Sequence, residues 1–469
     1  MRDNRAVTPP KAPELLLPAG TLQRMRAAFD FGADAVYAGQ PRYSLRARNN
    51  EFRAEQIAQG IAEARARGKK FFLTSNLIAH NDKLRSYLRD LAPLVALQPD
   101  AIIMADAGLI MLVRAEMQAG RWPEVPIHLS VQANTTNSAA VKFWHRQGVS
   151  RIILSRELSL DEVAAIRQDC PDVELEVFVH GALCIAYSGR CLLSGYFNRR
   201  DPNQGTCTNA CRWDYKTSAA DTDTDSGDAA VPQRLGGDFD FAQEDQQTAD
   251  QSRSTCGGGQ RHPLADRVWL LEEKQRPGEL MPIMEDEHGT YIMNSKDLRA
   301  VEHVARLVQI GVDSLKIEGR TKSHYYVART AQVYRRAIDD ALAGRPFNPE
   351  LLRELEGLSN RGYTGGLLER RPSQDYQNYL SGSSQSQRSQ FVGEVLRVRE
   401  DGWAEVLTKN RFAVGDWIEV IHPSGNRVLQ VQTMHNPDGQ PIAVAAGSPL
   451  RVWLPLPGPS DGALLARLL

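Results

Sequence analysis

Four of the six cysteines fall in one stretch, Cys184-x6-Cys191-x15-Cys207-x3-Cys211, so that four thiolates within 28 residues can converge on a single centre. Zinc is usually held by tight C-x2-C knuckles, whereas four-cysteine iron–sulfur ligation tolerates varied spacings. Gly189, Ser194, Gly195 and Gly205 lie among these cysteines and let the backbone wrap a bulky cluster. The spacing favours iron–sulfur and leaves zinc, or unrelated buried cysteines, as alternatives. Cys170 ends a helical pattern and reads as structural, and Cys256 lies in a polar stretch unsuited to holding a fixed ligand.

A second set of polar residues recurs just after short apolar runs: Asn76, Asp106, Gln132 with Asn134, Arg156 with Glu157, His180, and Glu318 with Arg320. Arg46, Arg48, Arg156, Arg190 and Arg320 are the arginines of this neighbourhood, and a planar guanidinium suits bidentate recognition of a carboxylate. Arg156 and Arg320 are favoured because each closes an apolar run. His180 and Glu176 flank the cysteine loop; His180 is either a proton carrier or a hydrogen-bonded structural histidine. Tyr43, Tyr187 and Trp213 are candidate stacking platforms for a base, each with a core role as its alternative.

The elements that position these residues follow one repeated phrase, an amphipathic helix, a glycine or proline turn, then a β-branched apolar run, as in HRQGVSRIILSREL (145–158) and VQIGVDSLKIEGR (308–320). A helix stopped by glycine and followed by a buried strand is half of a parallel βαβ unit. Strands are predicted at Glu14–Leu17, Ala35–Ala38, Lys70–Asn76, Ala101–Ala105, Ile127–Val131, Arg151–Leu154, Leu175–Val179 and Ser314–Ile317. Eight such strands predict an α/β fold, a closed (β/α)8 TIM-type barrel, with an open doubly wound sheet as runner-up. The polar residues above then stand at the strand C-termini, where barrels build active sites.

The pattern predicts a tail at 1–12, a catalytic barrel over 13–378 with its cysteine loop at 180–215, a low-complexity insert at 217–262, a linker at 379–390 and a small antiparallel β-barrel over 391–469. The insert is rich in Asp, Gln, Ser and Gly and lacks the apolar residues needed to offset its ordering entropy, so a disordered insertion is expected. In the last region the period drops to two and turns read DG, VGD and PSGN.

Composition narrows the function classes. With 42% hydrophobic and 24% charged residues the chain is globular, and with 56 basic against 57 acidic residues any nucleic-acid site has to be a local patch. The only apolar run near the N-terminus is three leucines, and no stretch approaches the roughly 20 apolar residues of a membrane span. A cytoplasmic, non-membrane location is expected, where thiols stay reduced and a disulfide framework is disfavoured.

The run Glu176-x-Phe178-x2-Gly181-Ala182-Leu183-Cys184-x4-Gly189-x-Cys191-x-Leu193-Ser194 resembles the signature of the family once labelled collagenase-like peptidases, unassigned peptidase family thirty-two. The resemblance extends through ELLLPAGT, GADAVYAGQPRYSLRARNNEF, HLSVQANTTN, YIMNSKDL, SLKIEGRTKSHYY and the C-terminal β-region, and omits 217–262. Members of that family hydroxylate ubiquinone precursors, ribosomal RNA or tRNA. For a chain of this length the resemblance implies formation of 5-hydroxyuridine at the wobble position of the tRNA anticodon loop, with prephenate as hydroxyl source. It also implies a [4Fe–4S] cluster delivered by the iron–sulfur assembly machinery. Cys184 and Cys191 belong to the signature. The pair Cys207-x3-Cys211 is similar to the paired ligands of one relative, while another takes its fourth ligand from further downstream, so Cys211 is assigned on less than the other three, and Cys256 is the alternative to one of the four.

Two other classes compete. A peptidase needs a nucleophile with a base, or a metal-bound water, and the chain shows neither H-E-x-x-H nor G-x-S-x-G. A non-catalytic RNA-binding module leaves the cysteine quartet without a role. On the four-cysteine reading, Cys184→Ser or Cys191→Ser is expected to abolish bound iron and RNA hydroxylation while Cys256→Ser leaves both unchanged. Iron analysis and the absorbance spectrum of anaerobically purified protein check this, and a colourless Cys256 variant would move a ligand into the insert.

Overall fold

The computed structural model describes residues 11–40, 42–44, 52–183, 296–360, 362–369 and 388–469, with the backbone of short strands between 215 and 290. Cys184, Cys191, Cys207, Cys211 and Cys256 lie outside the described residues, as do Arg46, Arg48, Arg190, Tyr187 and Trp213.

The repeated phrase of the sequence becomes β1 (Glu14–Pro18), α1 (Leu22–Asp30), β2 (Ala35–Gly39), α2 (Ala54–Ala66), β3 (Lys70–Ser75), α3 (Asn81–Val95), β4 (Ala101–Met104) and α4 (Ala107–Gln118). It continues through β5 (Ile127–Leu129), α5 (Ser138–Arg146), β6 (Arg151–Ile153), α6 (Leu160–Asp169) and β7 (Glu174–Ala182). Backbone strands β8 (Tyr215–Ala219), β9 (Trp269–Glu273) and β10 (Leu280–Ile283) form an antiparallel sheet, and β11 (Glu285–Asp286) pairs with β12 (Gly289–Thr290). Then come β13 (Asp297–Arg299), α7 (Val304–Ile310), β14 (Ser314–Ile317), α8 (His324–Leu342), α9 (Glu350–Glu356) and β15 (Tyr363–Thr364).

Strands β1 to β7 pair in parallel in chain order, and β14 pairs with both β7 and β1. The sheet therefore closes as the eight-stranded parallel barrel expected from the sequence. Gly311, at φ 84° just past α7, supplies the left-handed residue that turns that helix into β14.

Several strand ends differ by one residue from the sequence expectation, β16 starts at Ser389 within the expected linker 379–390 because it pairs there with β23, and three further differences have local causes. β5 stops at Leu129 because Ser130 caps a 3-10 turn at Val131–Ala133. β7 runs past Val179 to Ala182 because β13, a strand not foreseen, pairs with it antiparallel at Ala182, Gly181 and His180. Residues 217–219 of the predicted insert belong to β8, and 220–262 lie outside the described residues.

Alternation gives the barrel two faces. Leu15, Val36, Phe71, Ile102, Ile152 and Leu315 point outward, fully buried beneath the helices. The inward register Glu14↔Ser314, Ala35↔Lys70, His128↔Arg151 and Ile153↔Glu176 instead places polar residues inside.

The C-terminal region is antiparallel as expected. Strands β16 (Ser389–Val398), β17 (Trp403–Thr408), β18 (Phe412–Ala413), β19 (Trp417–Ile421), β20 (Arg427–Gln430), β21 (Val444–Ala445), β22 (Arg451–Pro455) and β23 (Leu464–Leu468) make a six-stranded half-barrel sheet, ordered β20-β19-β23-β16-β17-β22, plus the β18–β21 ribbon. This domain is bolted to α8. The guanidinium of Arg329, 2% exposed, donates to Glu419 of β19 (Nη1–Oε1 2.9 Å) and reaches Glu354 of α9 at 3.4 Å. Gln332 donates to the His422 carbonyl (3.0 Å) and exchanges hydrogen bonds with Asn426.

Removing one partner of a buried pair leaves the other charge desolvated. Glu419→Ala is therefore expected to cost about 3 kcal/mol, read as a lower urea midpoint, and to make the junction between α8 and the β-domain more sensitive to limited proteolysis. An unchanged midpoint would show that Glu354 alone balances Arg329.

Candidate active site

The barrel interior begins with a chain of charges. Arg151 donates to Glu14 (2.6 Å), Glu174 (2.9 Å) and Glu176 (3.3 Å), Lys316 donates to Glu176 at 2.7 Å, and Lys70 donates to Glu14 at 2.8 Å. Burial by itself would raise the Glu176 carboxyl, but Lys316 and Arg151 outweigh it and hold it below the ordinary range. Burial depresses Lys316 in turn, opposed by Glu176. Glu176, 0% exposed with both oxygens taken, thus sits within the barrel, eight residues before Cys184, as a member of this charge chain.

Above this chain two aromatic rings each meet two cations. Lys316 Nζ lies 4.5 Å from the Tyr37 ring centroid and 5.4 Å from that of Phe178. Arg156 stands 3.9 Å over Phe178 and Arg320 5.8 Å over Tyr37. Such contacts contribute about 0.5–2 kcal/mol each when desolvated. Glu318 stands 3.8 Å from Arg156 and 3.4 Å from the Tyr37 hydroxyl. Arg320 donates to Ser44 (2.5 Å), and both groups lie against Gly39, where a Cβ would come within 2.4 Å of the Ser44 hydroxyl. The structure therefore places Arg156 and Arg320 both at the C-terminal mouth, each against a ring that Lys316 also meets.

The cysteine loop leaves from the same place. Arg156 donates to the carbonyl of Ala182 (3.2 Å), two residues before Cys184. Gly181 has φ 102°, and a Cβ there would lie 2.4 Å from the Glu318 carbonyl, so the loops after β7 and β14 touch backbone to backbone.

His180 is turned away from the mouth. Val179 is an extra residue in β7 where Lys316↔Phe178 is followed by Ile317↔His180, and this bulge moves His180 to the outer face. There it packs between Tyr326, Tyr334 and Tyr363, at centroid distances of 5.5–5.8 Å, with Nδ1 3.4 Å from the Tyr334 hydroxyl. Burial first, then the charges of Lys322 and Arg299, push its pKa down to about 3, so it is neutral at physiological pH. That environment supports the structural alternative over a proton carrier.

Other rim residues divide. Asp106 caps α4, its two oxygens accepting from Leu109 (3.0 Å) and Ala79 (3.0 Å), which is a scaffold role. Asn76 donates to Ser130 (3.3 Å), and Ser155 donates to Asn134 (2.5 Å), which holds φ 52°. Thr74 and Ser130 complete this neutral side of the mouth; strand alternation could have found them, but their small side chains gave no signal. Tyr43 is fully buried, edge-on to Tyr87 and hydrogen-bonded to Asp90 and Ser86, hence core. Cys170 is buried, as expected of a structural cysteine. Among the described residues no group of His, Cys, Asp and Glu could hold a metal ion, and no helix is long and apolar enough to cross a membrane.

A parallel eight-stranded barrel whose mouth gathers two arginines, a carboxylate and the start of a cysteine loop defines a barrel of the enzyme class, with its site at the strand C-termini. The chain belongs to Peptidase family U32, which matches residues 20–378, with the Peptidase family U32 C-terminal domain at 387–467. It is 56% identical to tRNA hydroxylation protein P of Escherichia coli K12 over 95% of this chain and 94% of that one. It is 55% identical to tRNA hydroxylation protein P of Haemophilus influenzae, over 95% and 93% respectively. The 23S rRNA 5-hydroxycytidine C2501 synthase of Escherichia coli K12 is 29% identical over 87% of this chain and 52% of its own length.

The depressed histidine gives a sign for acid stability. An unfolded histidine takes up a proton near 6.5 while folded His180 resists to about 3, so between these values the unfolded state binds more protons and stability falls as pH falls. Relative to His180→Phe, the wild type is expected to lose up to about 1.4 kcal/mol more stability per pH unit below 6.5, measured by urea unfolding from pH 7 to 4. Parallel pH profiles would mean that His180 charges in the folded protein.

Proposed function

We propose that this chain is a tRNA-modifying hydroxylase that forms 5-hydroxyuridine at the wobble position of the anticodon loop, with prephenate as hydroxyl source and a [4Fe–4S] cluster held by Cys184, Cys191, Cys207 and Cys211. The observation that carries the reading is the likeness over nearly the whole chain to tRNA hydroxylation proteins. The residues at the mouth support it chemically. Four thiolates are the donor set iron prefers, and Cys184 follows directly on the segment that Arg156 holds at the mouth. When bound, such a cluster supplies redox or Lewis-acid chemistry that side chains lack.

The chain's own residues orient the reactants. A dicarboxylate such as prephenate matches the guanidinium groups of Arg156 and Arg320, and Glu318 with Tyr37 and Phe178 sets where those groups stand. A wobble base is already unpaired and can be splayed into the mouth without breaking a duplex. The peptidase reading finds less support: at the mouth no described serine, threonine or cysteine is hydrogen-bonded to a histidine, and His128 and His180 are both kept neutral, by burial and then by neighbouring cations.

Lysine at position 156 or 320 keeps the charge but loses the fork. Arg156→Lys and Arg320→Lys are each expected to raise the apparent prephenate requirement about tenfold to a hundredfold, with iron content and tRNA affinity retained. Titrating prephenate while measuring 5-hydroxyuridine in tRNA checks this. Unchanged donor dependence in both variants removes the clamp, and wild-type activity without prephenate removes the donor.

A further inference from the structure

The mouth of the barrel has two unlike halves. Its cationic half runs from the end of β6 through β7 and β14 to β2, with Arg156, Glu318 and Arg320. The other half, above β3 to β5, is neutral among the described residues, since its carboxylate, Asp106, is spent on backbone amides.

On that neutral half, buried polar groups lack partners. Thr74 shares the inward face with Phe72 and Gly39, while Ser75 points outward to the Tyr87 hydroxyl (2.8 Å). The Thr74 hydroxyl, on a residue 2% exposed, makes no hydrogen bond, and neither does Oε1 of Gln132, 7% exposed, on the turn after β5. A buried polar group left unpaired is costly, and a cluster of them at the ligand-binding end of a barrel marks where a ligand completes the hydrogen bonds.

We infer that this β3–β5 half is a pocket for a neutral pyrimidine base, with Gln132 and Thr74 reading its hydrogen-bonding edge. Gln132 Oε1 offers an acceptor and Thr74 a hydroxyl that donates or accepts, which complements an edge carrying both N–H and carbonyl groups, as uracil does. Among the described residues no charged side chain of this half is available for an anion, so the base and the anionic donor sort to opposite halves of one mouth. The inference rests on the hydroxylase reading and assigns its base-specificity residues.

The test measures binding of two fluorescent anticodon stem–loop RNAs at fixed salt, one with uridine at the wobble position and one abasic there, to wild-type protein, Gln132→Leu and Thr74→Val. The wild type is expected to prefer the uridine loop. Each variant is expected to lose about fivefold or more of that preference, the effect of one hydrogen bond, with affinity for the abasic loop unchanged. Equal losses on both RNAs would show a merely structural role and overturn the inference, as would full preference in both variants. A wild type without preference would overturn the hydroxylase reading as well. Thr74→Val is nearly isosteric and decides the matter if Gln132→Leu fails to fold.

Discussion

Two carboxylates and two cations are buried inside this barrel, Glu14 and Glu176 against Arg151 and Lys316, and the half-exposed Glu174 and Lys70 extend the chain to solvent. A charge taken out of water is tolerated only where its partners are fixed, and here the partners come from β1, β3, β6, β7 and β14. A slip of any of these strands by one residue would turn its charge outward into the apolar helix layer. The network therefore ties strand register to electrostatics, and with register goes the height of every residue at the mouth.

The same network reaches upward through the aromatic pair. Lys316 is bonded to Glu176 and lies against both Tyr37 and Phe178, and those rings receive Arg320 and Arg156 from above. Arg156 is held by the Phe178 ring and Glu318, and Arg320 by the Tyr37 ring and Ser44. Close backbone approach does the rest: Gly39 lets Ser44 and Arg320 settle beside β2, and Gly181 lets the start of the cysteine loop rest on Glu318. The mouth is preorganised, and the loops after β2 and β7 leave from fixed points.

The β-domain extends this rigidity outward. Through Arg329 and Gln332 it grips α8, whose first turn follows the Arg320 loop, so β-domain, helix and mouth form one mechanical unit. Ile421, Leu464 and Ala466 join the apolar core of the barrel, which makes the junction a continuation of the core.

Much of this was legible in the sequence because it depends on local periodicity and residue type. Helical amphipathicity followed by β-branched runs gave the eight strands, period-two alternation gave the C-terminal sheet, and strand-end position singled out Arg156, Arg320 and Gln132. Tertiary structure alone decided which polar residues face the mouth and which serve the scaffold. Asp106 carries the same carboxylate whether it caps a helix or faces substrate, and only its two backbone partners distinguish these. One bulged residue, Val179, sends His180 out among tyrosines, and a bulge arises from strand pairing across more than a hundred residues of chain. Glu176 looked like a neighbour of the cysteine loop because it precedes it in sequence. Inside the barrel it belongs with Arg151 and Lys316, since register, and not proximity along the chain, sets which charges meet.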